Sequence, residues 1–230
     1  MKPSNLLTLF LPLLILLMFL SPKANAAMIQ IDLGNAASGL VDGSSYALIP
    51  DILTAQAGQP VPFDAGIGSE LFGDPANVNW QFNYGAIAES ILSASFSFGI
   101  WDHDSAASGS QLDAFLLGGI DNTAALDAMF ESGGGATDAQ YSVYNFNLGA
   151  AFFADLADGN FSVDLDIGGA GLQTALFGGQ VSETATNGYH LIYSTLSITF
   201  EDPSTPPSVP EPSTLLLFAL SLAGLKARIK

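Results

Sequence analysis

Hydrophobic and polar residues alternate in five stretches of the central part of the chain. Phe96, Phe98 and Ile100 alternate with small polar residues, and the same pattern runs through residues 78–84, 144–148, 161–167 and 192–200. A period of two places the apolar side chains of a strand on one face, so that one face is buried and the other is wet. These stretches therefore predict strands of antiparallel sheets.

Two further patterns complete the prediction of elements. Asp158-Gly159 separates residues 150–157 (AAFFADLA) from 160–167 (NFSVDLDI), which predicts a hairpin between two strands. Residues 123–132 instead predict a short helix, because Leu126, Met129 and Phe130 fall on one side and Gly133 follows as a stop. About eight to ten short strands with one short helix predict an all-β protein. We expect an antiparallel β-sandwich of jelly-roll character, with a closed barrel as the alternative.

The N-terminus has the pattern of a signal peptide. Lys2 precedes an apolar run, and Ala24-Asn25-Ala26 then supplies the small-x-small sequence of a signal peptidase site. The alternative is a transmembrane helix that is retained, but Pro12 interrupts the run. We therefore expect residues 1–26 to be removed on export, with the β-sandwich domain spanning residues 27–202.

The C-terminal segment is too short and too isolated to be a core helix. Residues 203–208 form a proline-rich spacer, and the apolar stretch from Ser213 to Leu225 is followed by Lys226, Arg228 and Lys230. At 1.5 Å per residue this stretch would span about 20 Å, against a hydrocarbon core of about 30 Å. It therefore predicts a short transmembrane segment that stops transfer and contacts the membrane only transiently.

The last 22 residues, 209–230, resemble the PEP-CTERM sorting signal of Gram-negative bacteria. The order is a Pro-Glu-Pro motif, an apolar segment and a basic end, although the basic end is looser than the usual arginine cluster. The motif residues are Val209, Pro210, Glu211, Pro212 and Ser213. The resemblance implies export through the inner membrane and periplasm, and processing by an exosortase-type membrane protease. It also implies a final location at the cell surface or in the extracellular matrix, in association with exopolysaccharide.

The distribution of charge excludes several classes of partner. The chain has 22 acidic and five basic residues, and no lysine or arginine occurs between residues 27 and 202. Nucleic acid and anionic lipid both require basic patches, so neither is expected as a partner. Crowded carboxylates must then be relieved by protonation, separation or bound cations. The alternative is an acidic surface that is simply solvated.

The strongest candidate cation site follows one of the predicted strands. Two groups of residues could supply oxygen ligands for Ca²⁺, which takes six to eight of them: Asp102, Asp104, Ser110 and Asp113 in one loop, and Asp164 and Asp166 on one strand face. The loop lacks the glycine and final glutamate of an EF-hand. An acidic turn and a wet strand face are the alternatives for the two groups.

Catalytic motifs are absent from the sequence. It has no cysteine, two histidines (His103 and His190), and neither a G-x-S-x-G nor an H-E-x-x-H sequence. We therefore expect a non-enzymatic, calcium-stabilised surface or matrix protein. The alternatives are a carbohydrate-binding module, with Trp101 as an exposed sugar contact, and a glycan-cleaving hydrolase that uses a carboxylate pair.

Overall fold

The computed structural model describes residues 25–44, 49–174 and 181–202. Met28–Phe200 forms one compact unit, and the two ends of the chain are assigned to another. The strands are β1 Ala26–Gly34, β2 Gly66–Gly68, β3 Asn77–Asn83, β4 Ile91–Trp101, β5 Leu112–Leu117, β6 Ile120–Asp121, β7 Tyr141–Leu148, β8 Asn160–Ile167, β9 Gly171–Thr174, β10 Val181–Thr184 and β11 Gly188–Glu201. The helices are α1 Ile49–Gln56, α2 Thr123–Phe130, a 3-10 turn Ala150–Phe152 and α3 Phe153–Ala157.

The strands form two main sheets. The first has the order β1-β11-β4-β7, with β2 also paired to β11, and the second has the order β3-β8-β5-β6. The pairs β4–β7, β4–β11, β3–β8 and β5–β8 are antiparallel. β9 and β10 form a separate antiparallel ribbon. Between β3 and β8 the chain crosses from one sheet to the other at each step except from β5 to β6, which are neighbours in the second sheet.

The core lies between the two sheets and consists of the residues that the alternation predicts. On β8 the buried side chains are Phe161, Val163, Leu165 and Ile167, and on β4 they include Phe96, Phe98 and Ile100. Rings from opposite sheets touch, since Phe98 and Phe115 have their centroids 5.8 Å apart. Each fully buried apolar side chain stabilises the fold by about 1.5–3 kcal/mol. The predicted antiparallel β-sandwich is confirmed.

The helices differ from the prediction. The predicted helix at residues 123–132 is present as α2 but ends at Phe130, and α1 was not predicted. The predicted hairpin before Asp158 is wrong, because residues 150–157 form the 3-10 turn and α3. Phe152 and Leu156 are both buried, and their spacing of four places them on one side of a helix. In the sequence AAFFADLA the alanines leave no clear contrast between apolar and polar positions, so the helical spacing could not be recognised.

At the two ends of the chain, the described residues begin at Asn25 and end at Asp202. No helix within residues 25–44, 49–174 and 181–202 is long and apolar enough to cross a membrane. Ala26 is the first residue of β1. Residues 1–24 of the predicted signal peptide, which include Ala24, lie outside the described residues. The same holds for the spacer at 203–208 and the sorting signal at 209–230.

Candidate metal centre

One strand, β11, brings together two distant segments of the chain. His190 of β11 is paired with Gly66 of β2 and with Trp101 of β4. β2 and β4 both run antiparallel to β11, so both leave the sheet at the same end. Glu70 lies two residues beyond the end of β2, and Asp102 immediately follows β4. The register of the sheet therefore places these two carboxylates side by side.

Glu70, Asp102 and Asp104 form an acidic cluster. One carboxylate oxygen from each residue lies within 4.8 Å of the other two. The side chain of Asp104 is fully buried, and Asp102 is 9% exposed. Oxygen ligands at such separations are the kind that Ca²⁺ and Mg²⁺ bind. The cluster is thus a candidate metal centre.

The loop after β4 is held in an unusual backbone conformation. Asp102 and Asp104 have φ angles of 65° and 52°, in the left-handed region that aspartate adopts more readily than most residues. The backbone N–H of Ala139 donates to Asp102 Oδ1, and that of Leu172 donates to Asp104 Oδ2 at 2.6 Å. These bonds turn both side chains toward the interior. One oxygen of each carboxylate is thereby fixed by backbone groups.

The electrostatic environment of the cluster is unfavourable for three negative charges. Burial, and next the charge of Asp104, raises the pKa of Asp102 to about 8. Burial raises the pKa of Asp104 to about 7, and burial followed by the charge of Asp138 raises the pKa of Glu70. Asp104 Oδ1 has no hydrogen-bond partner among the described residues. A proton or a bound cation is needed to reduce the repulsion between these buried negative charges.

His103, which lies between the two aspartates, does not supply the missing positive charge. Burial lowers the pKa of His103 to about 3, so its ring is neutral at physiological pH. Its Nε2 lies 2.6 Å from the hydroxyl oxygen of Tyr144, and the ring is fully buried. Residues 27–202 contain no lysine or arginine, so no basic side chain of this region compensates the cluster.

Ser110 and Asp113, the other two predicted ligands of this loop, lie outside the cluster. The hydroxyl of Ser110 donates to Asp127 Oδ1 at 2.6 Å, and the carboxylate of Asp113 lies against Gly168. The loop does not wrap around one point, because Ala107 N already donates to Asp104 O in a tight turn. It therefore brings together its first two aspartates and leaves its second half elsewhere.

Asp164 and Asp166 lie on the second sheet rather than at the cluster. In the pairing of β8 with β3 they stand opposite Asn79 and Asn77. Their side chains are half-buried on the face of β8 opposite to the core. Burial and next the charge of Asp113 raise the pKa of Asp166. Asp166 therefore lies near Asp113.

Trp101 is buried, not exposed as its position beside the acidic loop suggested. It is 5% exposed and belongs to a small apolar cluster with Ile52 of α1 and Tyr141 of β7. Its ring meets His190 edge-on, with centroids 5.3 Å apart. The prediction of an exposed ring failed because α1, which covers this side of the sheet, was not predicted. Trp101 Nε1 has no hydrogen-bond partner among the described residues.

Comparison with known proteins identifies the C-terminal segment. A family model described as the PEP-CTERM protein-sorting motif matches residues 208–230. The chain carries the PEP-CTERM protein-sorting motif. The resemblance drawn from the sequence is thus confirmed, with the match beginning one residue before Val209. The motif implies that the protein is exported and sorted by an exosortase to the cell surface.

The comparisons add little about the domain that precedes the PEP-CTERM motif. A solved structure of the Tobacco streak virus coat protein matches with 12% identity, over 82% of this chain and 94% of that chain. Its TM-score is 0.25, which is too low to support an argument about fold or function. The comparison with curated proteins gave no match.

Glu70 is the member of the cluster that the sequence did not reveal. It lies 32 residues before Asp102, in a segment of glycines and polar residues without strand-like alternation. β2 is only three residues long, so its pairing with β11 leaves almost no pattern in the sequence. The one available signal was the shortage of positive charge, which indicates a need for cations but not which carboxylates meet.

Proposed function

We propose that this exported protein is a non-enzymatic component of the cell surface or extracellular matrix, associated with exopolysaccharide and stabilised by Ca²⁺. Glu70, Asp102 and Asp104 would hold the ion. The observation that carries the calcium site is the buried carboxylate of Asp104, whose Oδ1 has no partner among the described residues while two more carboxylates lie within 4.8 Å. Leaving such a charge buried and uncompensated costs several kcal/mol.

The donor set favours calcium over other common ions. The three groups offer only oxygen atoms, which excludes the nitrogen and sulfur ligands that zinc and copper prefer. Ca²⁺ accepts six to eight oxygens in irregular geometry, whereas Mg²⁺ requires a near-ideal octahedron and retains several waters. Two of the carboxylates are fixed by backbone hydrogen bonds and are not free to adjust. The cluster is therefore better suited to calcium.

The experiment is a thermal melt of the full chain in a mild detergent, first with chelator and then with calcium or magnesium. At 100 times the dissociation constant, calcium would add about 2.7 kcal/mol to the free energy of unfolding. For a domain of this size that is a rise in Tm of roughly 5–10 °C. Asp104→Asn is expected to abolish the rise, and Asp164→Asn, on the second sheet, to leave it unchanged. Equal and small rises with both ions would contradict the proposal.

The two histidines support the proposal of a non-enzyme only against mechanisms that need a histidine base. The ring of His103 is paired with the hydroxyl of Tyr144, and His190 Nδ1 lies 2.8 Å from Gln56 Oε1. Burial lowers the pKa of both rings, so neither is suited to accept a proton from a nucleophile at neutral pH. We expect the purified chain to release no reducing ends from exopolysaccharide. Release at a constant rate per molecule of protein would contradict this assignment.

A further inference from the structure

A cavity of about 230 Å³ opens beside the acidic cluster. Glu70 and Asp102 form part of its wall, together with Trp101, His190 and two apolar residues, Ile49 and Leu71. Asp104 does not line the cavity and is fully buried. An ion held by the three carboxylates would therefore have Asp104 on its protein side and the cavity on its open side.

The carboxylates do not fill the coordination sphere of calcium. Three carboxylates offer at most six oxygens, and two of those accept backbone hydrogen bonds from Ala139 and Leu172. Because calcium takes six to eight oxygens, positions remain for oxygens of water or of a ligand. Since Glu70 and Asp102 line the cavity, those positions face it.

His190 presents a hydrogen-bond acceptor to the same cavity. The amide Nε2 of Gln56 donates to the carbonyl oxygens of Ala65 and Leu191, at 3.0 and 3.1 Å. Gln56 Oε1 must then be the acceptor in its contact with His190, so His190 Nδ1 carries the proton. Burial lowers the pKa of His190 and favours the neutral ring. Its Nε2 is thus left with a free lone pair.

Trp101 forms part of the cavity wall through its ring only. It is 5% exposed, and its Nε1–H is buried from solvent, so the indole N–H is not available to a molecule in the cavity. The acceptor on His190 and a cation with open positions together match hydroxyl groups, whose O–H donates to the acceptor and whose oxygen binds calcium.

Charge and size restrict the ligand further. Three carboxylates with one Ca²⁺ leave a net charge of about −1, and the chain has a net charge of −17, so an anionic ligand would be repelled. Leu71 and Ile49 are 65% and 59% exposed and offer apolar surface at the same cavity. The volume lies below the roughly 300–1,000 Å³ of pockets for drug-sized ligands, which suits one small ring.

We propose that this cavity binds a single neutral sugar residue, two of whose neighbouring hydroxyls complete the coordination sphere of the bound Ca²⁺ while another hydroxyl donates to His190 Nε2. The proposal rests on the calcium site proposed above. In this proposal the protein binds neutral glycan in a calcium-dependent way, and calcium does more than stabilise its fold.

The test compares a variant at the cavity with a variant in the core. Binding of methyl mannoside, methyl glucoside and methyl galactoside to the full chain is measured by titration calorimetry, with calcium and with chelator, in a detergent without sugar headgroups. At least one glycoside is expected to bind only with calcium. His190→Phe, which keeps a ring but removes the acceptor, should weaken that binding at least tenfold. Trp80→Phe removes an indole whose Nε1 donates to Ser194 Oγ at 3.1 Å inside the core, and should not change it.

Two additional measurements keep the test independent of folding. In Trp80→Phe the remaining tryptophan is Trp101, so the tryptophan emission comes from the cavity wall and is expected to change when the glycoside binds. Leu71→Ala, at an exposed residue, is expected to weaken binding about threefold without lowering Tm. The calcium-induced rise in Tm must also persist in His190→Phe, which shows that the ion site is intact.

The outcomes separate the two proposals. A normal calcium-induced rise in Tm without binding of any glycoside would overturn the sugar site and leave the calcium site standing. Binding that persists in chelator, or binding of galacturonate instead of the neutral glycosides, would also overturn it. Loss of the calcium-induced rise itself would overturn both proposals.

Discussion

Asp104 shows how burial changes the behaviour of a single side chain. Its carboxylate accepts a hydrogen bond from Leu172 N through Oδ2, but Oδ1 has no partner among the described residues. An asparagine in the same place would retain an oxygen acceptor for Leu172 and would tolerate the φ of 52°. The charge of Asp104, rather than its hydrogen bond to Leu172, is therefore what burial disfavours at this position.

Asp104→Asn is expected to stabilise the protein when no cation is present. At pH 8 in chelator, removing the buried charge should raise the free energy of unfolding by about 1–3 kcal/mol, while added calcium should have little further effect. Urea denaturation with and without calcium measures both quantities. A variant less stable than the wild type in chelator would show that the carboxylate does not carry an uncompensated charge.

The stability of the cation-free protein is expected to fall as the pH rises from about 4 to about 8. The folded-state pKa values of Asp102 and Asp104, about 8 and about 7, lie above the value of about 3.9 for an unfolded aspartate. The folded state thus binds these protons more tightly, so their contribution is fully present below about pH 4, decreases above it, and is lost once the pH has passed 7 and 8. Saturating calcium should remove this slope. Melts at half-unit pH intervals in chelator test the prediction, and a flat profile there would contradict it.

At the scale of elements, the site depends on the close approach of two loops. Ala106 N donates to Ala136 O, and the hydroxyl of Ser105 accepts from Ala136 N. Gly135 allows this approach: its φ is +77°, and a Cβ there would lie 2.6 Å from the carbonyl oxygen of Ser105. The same segment continues to Ala139, whose N–H binds Asp102. Packing between these loops therefore positions the first aspartate of the site.

Gly135→Ala and Gly134→Ala form a matched pair that isolates this packing. Both glycines have positive φ, so each substitution carries a backbone cost of about 1 kcal/mol, but a Cβ at Gly134 would meet no described atom within 4 Å. We expect Gly135→Ala to lower the free energy of unfolding by about 2 kcal/mol more than Gly134→Ala, and to weaken calcium binding. Urea denaturation and calcium titration measure the two effects. Equal losses in the two variants would show that the loops separate without cost.

The elements also show what could be predicted from the sequence. The alternation in β4, β8 and β11 identified the sandwich, because a sheet between a core and solvent leaves a period of two over many residues. The same local rule failed at residues 150–157, where Phe152 and Leu156 are buried at helical spacing. It also failed at β2, whose three residues are placed by pairing with β11. Glu70 depends on that pairing and was therefore missed.

At the scale of the whole molecule, the sorting signal concerns the destination of the protein, whereas the distribution of charge concerns the surroundings of its carboxylates. The PEP-CTERM motif at residues 208–230 indicates export and sorting. The absence of lysine and arginine from residues 27–202 leaves the carboxylates of this region without basic partners inside it. Of the six predicted ligands, the structure brings Asp102 and Asp104 together, because sequence spacing does not determine how a loop folds.

Replacing Pro210, Glu211 and Pro212 by alanine is expected to block removal of the tail in an exosortase-containing host. The protease would no longer recognise its motif, so the variant should retain the C-terminal segment and remain in the membrane fraction. The intact mass of the exported protein distinguishes the two forms. The wild-type chain in the same host is the control, and equal masses for the two proteins would contradict the role assigned to the motif.

The register of β11 has a consequence for how such a site could arise in evolution. His190 is paired with both Gly66 and Trp101, so Glu70 and Asp102 stay close to each other as long as the pairing of β11 is kept. A one-residue slip would turn every side chain of the strand to its other face. Single insertions or deletions next to β11 would then remove the site along with the core. In descendants of this domain, the carboxylates are expected to be lost by substitution long before the geometry that joins them.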